Sequence, residues 1–343
     1  MTGPLRLVCM SVTLAAAGCQ RPESRVVLYC AQDQEFAEPL FGEFAAATGV
    51  KIAAKFDTEA NKSVSLGREL ETEKARPRCD VHWNNEILNT ILLARKGVYE
   101  PYSSPNAAPF PDWTRPADRT WQSFAARARV LIVNTNLVPE ADRPRSLLDL
   151  TSARWKDKVA MAKPQFGTTA TQAAALFDVL GPEAAKTFYR GLKANGVSIV
   201  PGNKQAAVGV ADGRYAVGLT DTDDAVGELN AGKPVAIIYP DRDDRPEHPR
   251  LGVLYIPNTL ALVKGAPNPE GGKKLIDYLL RPETEARLAE GGGFQIPLNP
   301  AVKANLPAAV LTPDKVKRMA VDWEKAADLW DEVQSFLREE FAR

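Results

Sequence analysis

The sequence is poor in the residues and motifs that mark many enzymes and nucleic-acid-binding proteins. It has only two histidines, His82 and His248, and four cysteines that form no CxxC pair. It also has no Gly-rich phosphate loop, HExxH or GxSxG motif, which argues against the common zinc, nucleotide and serine-hydrolase sites. Lys plus Arg and Asp plus Glu both number 43. Because neither sign of charge is in excess, no nucleic acid partner is expected.

The first residues have the pattern of an export signal. Arg6 precedes an apolar run that ends in small residues before Cys19, and this run is too short to span a membrane as a mature helix. The ending resembles a bacterial lipobox, which predicts a lipoprotein-type signal peptide over residues 1–19, lipidation of Cys19 and a tether over residues 20–25. The alternative is ordinary signal peptidase cleavage after an alanine. Both predict a protein of the periplasm or cell envelope, and the lipid would anchor it to the membrane.

The rest of the chain alternates strand-like and helix-like segments. This β-α-β order predicts an α/β fold, with a mostly parallel sheet flanked by helices and ligand-binding loops at the carboxyl ends of the strands. A chain of 343 residues is long enough for two cores. The order of elements predicts that residues 26–130 and 258–343 form lobe 1, and that residues 131–257 form an inserted lobe 2. The two crossings between the lobes are predicted hinges.

An acidic stretch follows a short apolar strand in the second half of the chain. The strand runs into Asp221, Asp223 and Asp224, and a helix is predicted to begin near Ala225. Strand ends are where α/β proteins hold their ligands, so the three carboxylates are candidate ligand groups. The alternative is a helix start whose acidic first turn is favoured by the helix dipole.

A second candidate lies at the helix start Gly167-Thr168-Thr169, which follows an apolar strand. Backbone N–H groups and hydroxyls at a helix N-terminus suit an anion. A plain helix cap explains the same residues equally well.

Three strand-end motifs resemble those of type 2 periplasmic solute-binding proteins, in the group related to bacterial ferric-iron-binding proteins. The motifs are Leu28-Tyr29-Cys30-Ala31-Gln32-Asp33, Asp80-Val81-His82-Trp83-Asn84-Asn85-Glu86 and Leu219-Thr220-Asp221-Thr222-Asp223-Asp224. The resemblance spans residues 26–300. It implies a two-lobed periplasmic-binding-protein-like type 2 fold, each lobe with a mixed, mostly parallel sheet. It also implies a monomer that serves the permease of an ABC importer, with no enzymatic activity and no catalytic cofactor.

The resemblance further implies which residues contact a metal. Asp33 stands at the position of a metal-binding histidine, and Asn85, with Glu86 beside it, at that of a ligand glutamate. Asp223 and Asp224 replace the paired tyrosines whose phenolates bind ferric iron in the relatives. A metal set of Asp33, Asp223 and Asp224 offers only oxygen ligands, which suit hard cations such as Fe³⁺.

On the anion side, Thr168 and Thr169 match the loop that holds a synergistic anion in the relatives, and Asn203 matches a further anion contact. Asp221 is added to these residues as a ligand-binding group. The first hypothesis is therefore a binding protein for Fe³⁺, or another hard metal, with a bound anion. An alternative is an amine-bearing organic solute such as an aminophosphonate or a polyamine, whose amine pairs with the aspartates.

Two further hypotheses belong to other functional classes. Asp223 and Asp224 could serve as the acid and base of a secreted hydrolase, although adjacent carboxylates are less suited to this than residues from separate loops. The second of these hypotheses is a sensor of the same fold, which signals to a membrane partner without transporting a solute.

Overall fold

The computed structural model describes residues 25–57 and 65–341, which form a mixed β-sheet flanked by helices. The strands are β1 Arg25–Cys30, β2 Lys51–Phe56, β3 Val81–Asn84, β4 Tyr99–Glu100, β5 Gln122–Asn134, β6 Val159–Ala162, β7 Ser198–Val200, β8 Val217–Asp221, β9 Val235–Ile238 and β10 Tyr255–Val263. The helices are α1 Gln34–Thr48, α2 Ser65–Thr72, α3 Ile87–Arg95, α4 Gly167–Leu180, α5 Pro182–Ala194, α6 Asn203–Ala211, α7 Thr222–Asn230, α8 Pro269–Leu279, α9 Pro282–Glu290, α10 Trp323–Asp328 and α11 Trp330–Phe341. The predicted signal peptide and Cys19 lie outside the described residues.

The strands follow the order β2-β1-β3-β10-β5-β8-β6-β7, with β4 added to β10 and β9 added to β5. Pairing is parallel at both ends of the sheet, where β1 pairs with β2 and β3, and β6 pairs with β7 and β8. It is antiparallel in the middle, along β3, β10, β5 and β8. Helices cover the strands of each parallel group, which confirms the predicted α/β fold class.

The long strand β5 joins the two parallel groups. Its first half pairs with β10, and its second half pairs with β8 and β9. The register places Asp221, the last residue of β8, opposite Arg129. All 13 residues of β5 are buried, and a buried charge is tolerated where it is paired and hydrogen-bonded. The two arginines in the middle of this strand, Arg127 and Arg129, therefore need acceptors from neighbouring elements.

The C-terminal helices contact elements from both predicted lobes. Helix α10 contacts α3 and α4, and α11 contacts α4 and α5. Arg95 on α3 pairs with Glu324 and Asp328 of α10. The lobe boundaries stay a prediction. Helices α10 and α11 belong to predicted lobe 1 but pack partly against α4 and α5 of predicted lobe 2.

One predicted helix boundary was wrong. Helix α7 begins at Thr222 rather than near Ala225, so the acidic residues lie in its first turn. Tyr255–Val263 is one continuous strand, because the chain stays extended through Pro257 and pairs on both sides. Helices α10 and α11 lie within residues 313–341. Across the described part of the chain, no helix has the length and apolar character needed to cross a bilayer.

Candidate functional site

A polar cavity of about 460 Å³ lies where the strand ends converge on the middle of β5. Asp33 follows β1, Asn85 follows β3, and Lys163 follows β6, while Asp221 ends β8. Loops from both parallel groups of the sheet thus surround one space. This is the placement that the strand-end argument predicted for a ligand site.

Most of the residues predicted to bind a ligand line this cavity. They are Asp33, Asn85, Thr168, Thr169, Asn203, Asp221, Asp223 and Asp224. Their elements come from widely separated parts of the chain, so the fold, not sequence proximity, brings them together. Contact of each residue with a bound ligand stays a prediction.

Glu86 has a different environment from the other predicted residues. It is buried and caps α3, where its carboxylate accepts hydrogen bonds from the amides of Leu88 at 2.7 Å and Asn89 at 3.0 Å. It also accepts a bond from the hydroxyl of Thr171 on α4 at 3.0 Å. Burial raises the pKa of the Glu86 carboxyl, while these hydrogen bonds lower it. Glu86 is not among the cavity-lining residues, and its predicted role in ligand binding stays untested.

Four helices begin at the cavity wall. Their N-cap residues, Asp33 for α1, Phe166 for α4, Gly202 for α6 and Asp221 for α7, all line the cavity. Within the described ranges, none of these residues caps its helix with a side-chain hydrogen bond. First-turn amides and helix dipoles therefore give the cavity wall a positive electrostatic potential.

Carboxylates in the cavity wall counter this potential. One oxygen each from Asp221, Asp223 and Asp224 lies within 4.8 Å of the others. Asp33 and Glu35 add further carboxylates from the loop and helix after β1. The cluster contains oxygen ligands that would suit a hard cation.

Arg129 neutralises one of these carboxylates from within the sheet. Its side chain is 1% exposed, and Nη1 donates to Asp221 Oδ1 at 2.9 Å and to Asn203 Oδ1 at 3.0 Å. Its Nε donates to Gln172 Oε1 at 3.1 Å. The other oxygen of Asp221 accepts hydrogen bonds from Thr168 at 2.6 Å and from Asn203 at 3.0 Å. Both oxygens of Asp221 are thus occupied by protein groups.

Arg127, two residues earlier on β5, lines the cavity directly. It is 3% exposed, and its terminal nitrogens donate to Gln32 Oε1 at 2.7 Å and to the main-chain oxygen of Asn85 at 3.2 Å. Its Nε lies 3.3 Å from Asp223 Oδ2. Burial works to lower the pKa of the Arg127 guanidinium, but the surrounding carboxylates, led by that of Asp223, raise it above its ordinary value. Arg127 is therefore a fixed positive charge beside the acidic cluster.

Sequence reasoning attached no role to Arg127, Arg129, Lys163 or Lys204. The lysines line the cavity next to the starts of α4 and α6. The two arginines did leave a signal, because they stand two positions apart inside the apolar run 124–133. Residues at that spacing share one face of a strand, and buried charges on such a face need partners.

The cavity therefore combines both signs of charge. The lysines, Arg127 and the helix starts can bind an acidic group, and the remaining carboxylates can bind a cationic one. In the part of the chain that the structure describes, no tyrosine, histidine or cysteine lines the cavity. Such a site suits a solute that carries both charges, or a cation bound together with an anion.

Comparisons with known proteins agree with this description. The sequence model of the bacterial extracellular solute-binding protein family matches residues 92–328. The chain is 24% identical over 332 residues to the major ferric iron-binding protein of Neisseria meningitidis, covering 95% of this chain and 97% of that protein. It is 27% identical over 294 residues to a Salmonella typhi periplasmic protein named for 2-aminoethylphosphonate binding, covering 83% of this chain and 82% of that protein.

Among solved structures, iron-bound HitA from Pseudomonas aeruginosa has the same fold, with a TM-score of 0.81 and 21% identity over 93% of this chain and 99% of that one. These relatives are periplasmic substrate-binding proteins rather than enzymes. Members of their family bind small ligands and work with ABC importer permeases. The chain belongs to the bacterial extracellular solute-binding protein family.

Proposed function

We propose that this solute-binding protein binds a small organic solute bearing an acidic group, of the phosphonate or phosphate type, and an amine. The observation that carries this proposal is the pairing, around one cavity of about 460 Å³, of four helix N-termini with a carboxylate cluster. A solute that spans the cavity would contact elements of both predicted lobes. Ligand-driven closure of the lobes would then prepare the solute for an ABC importer permease.

The acidic group of the solute would lie against the starts of α4 and α6. The side chains of Thr168 and Asn203 are already engaged with Asp221 and Arg129. First-turn amides, with the exposed ammonium groups of Lys163 and Lys204, are then the groups best placed to hold an anion.

The amine would contact the carboxylates. Asp33, Asp224, Glu35 and Glu228 all line the cavity. An ammonium group donates up to three hydrogen bonds to such oxygens. The Salmonella typhi relative, which is named for a ligand carrying both groups, supports this assignment.

Ferric iron with a bound anion is the second candidate. It is favoured by the three carboxylates that approach within 4.8 Å and by the iron-binding relatives. It ranks second because guanidinium groups lie 2.9 Å from Asp221 and 3.3 Å from Asp223, where they compete with a metal. The tyrosines of this chain also contribute no phenolate to the cavity wall.

Calorimetric titration of the chelator-treated protein with 2-aminoethylphosphonate, a sugar phosphate, inorganic phosphate and ferric citrate tests this proposal. We expect saturable binding of a phosphonate or phosphate monoester without added metal. The double change Lys163→Gln and Lys204→Gln should weaken that binding roughly tenfold, since a hydrogen bond to a charged group contributes about 1.5 kcal/mol or more. Lys274→Gln, an exposed lysine on α8, is the matched control. Tight ferric binding with no organic binding would contradict the proposal.

We also propose that Cys19 carries a lipid that holds the protein at the membrane. This rests on the lipobox-like sequence alone, because Cys19 lies outside the described residues. Cys19→Ser should release the protein from the membrane fraction of cells that export it. An unchanged distribution would instead support ordinary signal peptidase cleavage.

A further inference from the structure

Among residues 25–57 and 65–341, Arg127 is the only arginine that lines the cavity, and its guanidinium is buried beside an acidic cluster. Four carboxylates act on its charge, those of Asp223, Asp221, Asp33 and Asp224. With its side chain 3% exposed, solvent does little to screen it. The guanidinium is thus part of the electrostatic environment of any cation that approaches the cluster.

The hydrogen bonds of Arg127 show how it is held. Its terminal nitrogens donate to neutral oxygens of Gln32, Asn85 and Gln295. Its Nε is buried and has no hydrogen-bond partner among residues 25–57 and 65–341, although it lies at ion-pair distance from Asp223. Neutral oxygens therefore bind the terminal nitrogens of the guanidinium, and its Nε is held next to the carboxylate of Asp223.

This arrangement differs from a site prepared for a metal. Carboxylates that coordinate a hard cation direct their oxygens toward it, and a second positive charge a few ångströms away opposes binding. One of the three carboxylates of the cluster, Asp221, is also saturated by Arg129, Thr168 and Asn203. A metal would have to share the remaining carboxylates with the fixed guanidinium.

We propose that Arg127 is a built-in counter-cation of the acidic cluster and the residue that excludes metal ions from this cavity. This inference rests on the proposed function, in which the solute is organic and its cationic group is a single amine. Arg127 pairs with Asp223, and in the proposed complex the amine contacts the cavity-lining carboxylates of Asp33 and Asp224. Arg127 would thereby determine whether this chain accepts a metal ion or an organic solute.

Titration of Mn²⁺, a soluble hard cation, into wild-type protein and Arg127→Gln tests the inference. Glutamine removes the charge and retains polar groups near Gln32. We expect wild-type protein to show no saturable Mn²⁺ binding at micromolar concentration, and Arg127→Gln to bind at least tenfold more tightly. Adding Asp223→Asn to Arg127→Gln should remove the gain, and Arg127→Lys, which keeps the charge, should not show it. Arg68→Gln, an exposed arginine on α2, is the control.

The outcomes separate the inference from the proposed function. If folded Arg127→Gln binds Mn²⁺ no better than wild type, while wild type binds the phosphonate or phosphate, the inference is wrong and the proposed function stands. If wild type binds Mn²⁺ and ferric citrate tightly and binds no organic solute, both are wrong. Should Arg127→Gln not fold, Arg127→Met replaces it. Saturable Mn²⁺ binding by wild type that Asp223→Asn abolishes would overturn the inference without any Arg127 variant.

Discussion

Arg127 and Arg129 lie two residues apart on β5, and each is within 3.3 Å of an aspartate from the junction of β8 and α7. Their surroundings differ. Arg129 stands opposite Asp221 in the sheet register and has hydrogen bonds to five side chains. Arg127 has no such register partner on β8, its Nε is unbonded within the described chain, and it faces the cavity.

From this difference we infer that the two Arg–Asp pairs have different roles. The saturated pair holds the starts of α4 and α6 together, because Thr168 and Asn203 both bond to it. In the second pair, Nε of Arg127 lies 3.3 Å from Asp223 without a hydrogen bond, and the guanidinium adds a positive charge to the cavity wall. The two pairs thus have the same residue types and differ in the number of their hydrogen bonds.

The largest expected effect is on stability after loss of either guanidinium. Arg129→Met leaves Asp221 buried without its counter-charge, which should lower the free energy of unfolding by about 3–5 kcal/mol. Arg127→Met should cost less, about 1–3 kcal/mol, because Asp223 is 11% exposed and borders the cavity. Urea denaturation measures both, with Arg68→Met as an exposed control. If Arg127→Met lowered the free energy of unfolding as much as Arg129→Met, or more, the two arginine pairs would not differ in their contribution to stability.

Double-mutant cycles should give a smaller but more specific difference. The coupling energy between Arg129→Gln and Asp221→Asn should reach about 3 kcal/mol, at the upper end for contacting residues. Between Arg127→Gln and Asp223→Asn it should be about 1 kcal/mol, because Nε approaches Asp223 without a hydrogen bond. Denaturation of the four single and two double variants provides the values. Equal coupling energies in both cycles would mean that the two pairs stabilise the fold equally.

Much of the fold followed from local patterns in the sequence. Apolar runs such as Val159–Ala162 became buried strands, and the polar residues after strand ends met at one cavity as parallel strands require. The presence of Asp33, Asn85 and Asp223 in one cavity wall was therefore within reach of sequence reasoning. The start of α7 was misplaced because acidic residues fit a preceding loop as well as a first helical turn.

The charge balance of the site was not predictable in the same way. In the sequence, Asp221 and Asp223 form an acidic stretch with no adjacent arginine, because their arginine partners lie about 90 positions earlier in the chain. That pairing depends on the antiparallel register of β5 with β8, which no local pattern specifies. Glu86 illustrates a related limit, because a helix cap and a ligand carboxylate occupy the same kind of position after a strand.

A smaller effect concerns pH, to which the two arginine pairs should respond little because arginine keeps its charge. His82 lies behind the site on β3, fully enclosed, with Nδ1 2.6 Å from the Tyr99 hydroxyl. Burial lowers the pKa of His82 to about 3. In the unfolded chain the imidazole has its ordinary pKa of about 6.5. Between these values the unfolded state binds a proton that the folded state does not, so stability falls as pH falls.

From pH 7 to about pH 5.5, His82 should therefore account for a loss of about 1 kcal/mol in the free energy of unfolding. Urea denaturation at both pH values should show this loss in wild-type protein, and it should be about 1 kcal/mol smaller in His82→Phe. His248→Gln, in the surface loop between β9 and β10, is the matched control and should retain the wild-type difference. Because the comparison is between two pH values for each variant, the Tyr99 hydrogen bond lost in His82→Phe cancels. An unchanged pH dependence in His82→Phe would contradict this assignment. Glu86 would not explain the loss either, because its pKa is raised by burial and a raised pKa favours folding as pH falls.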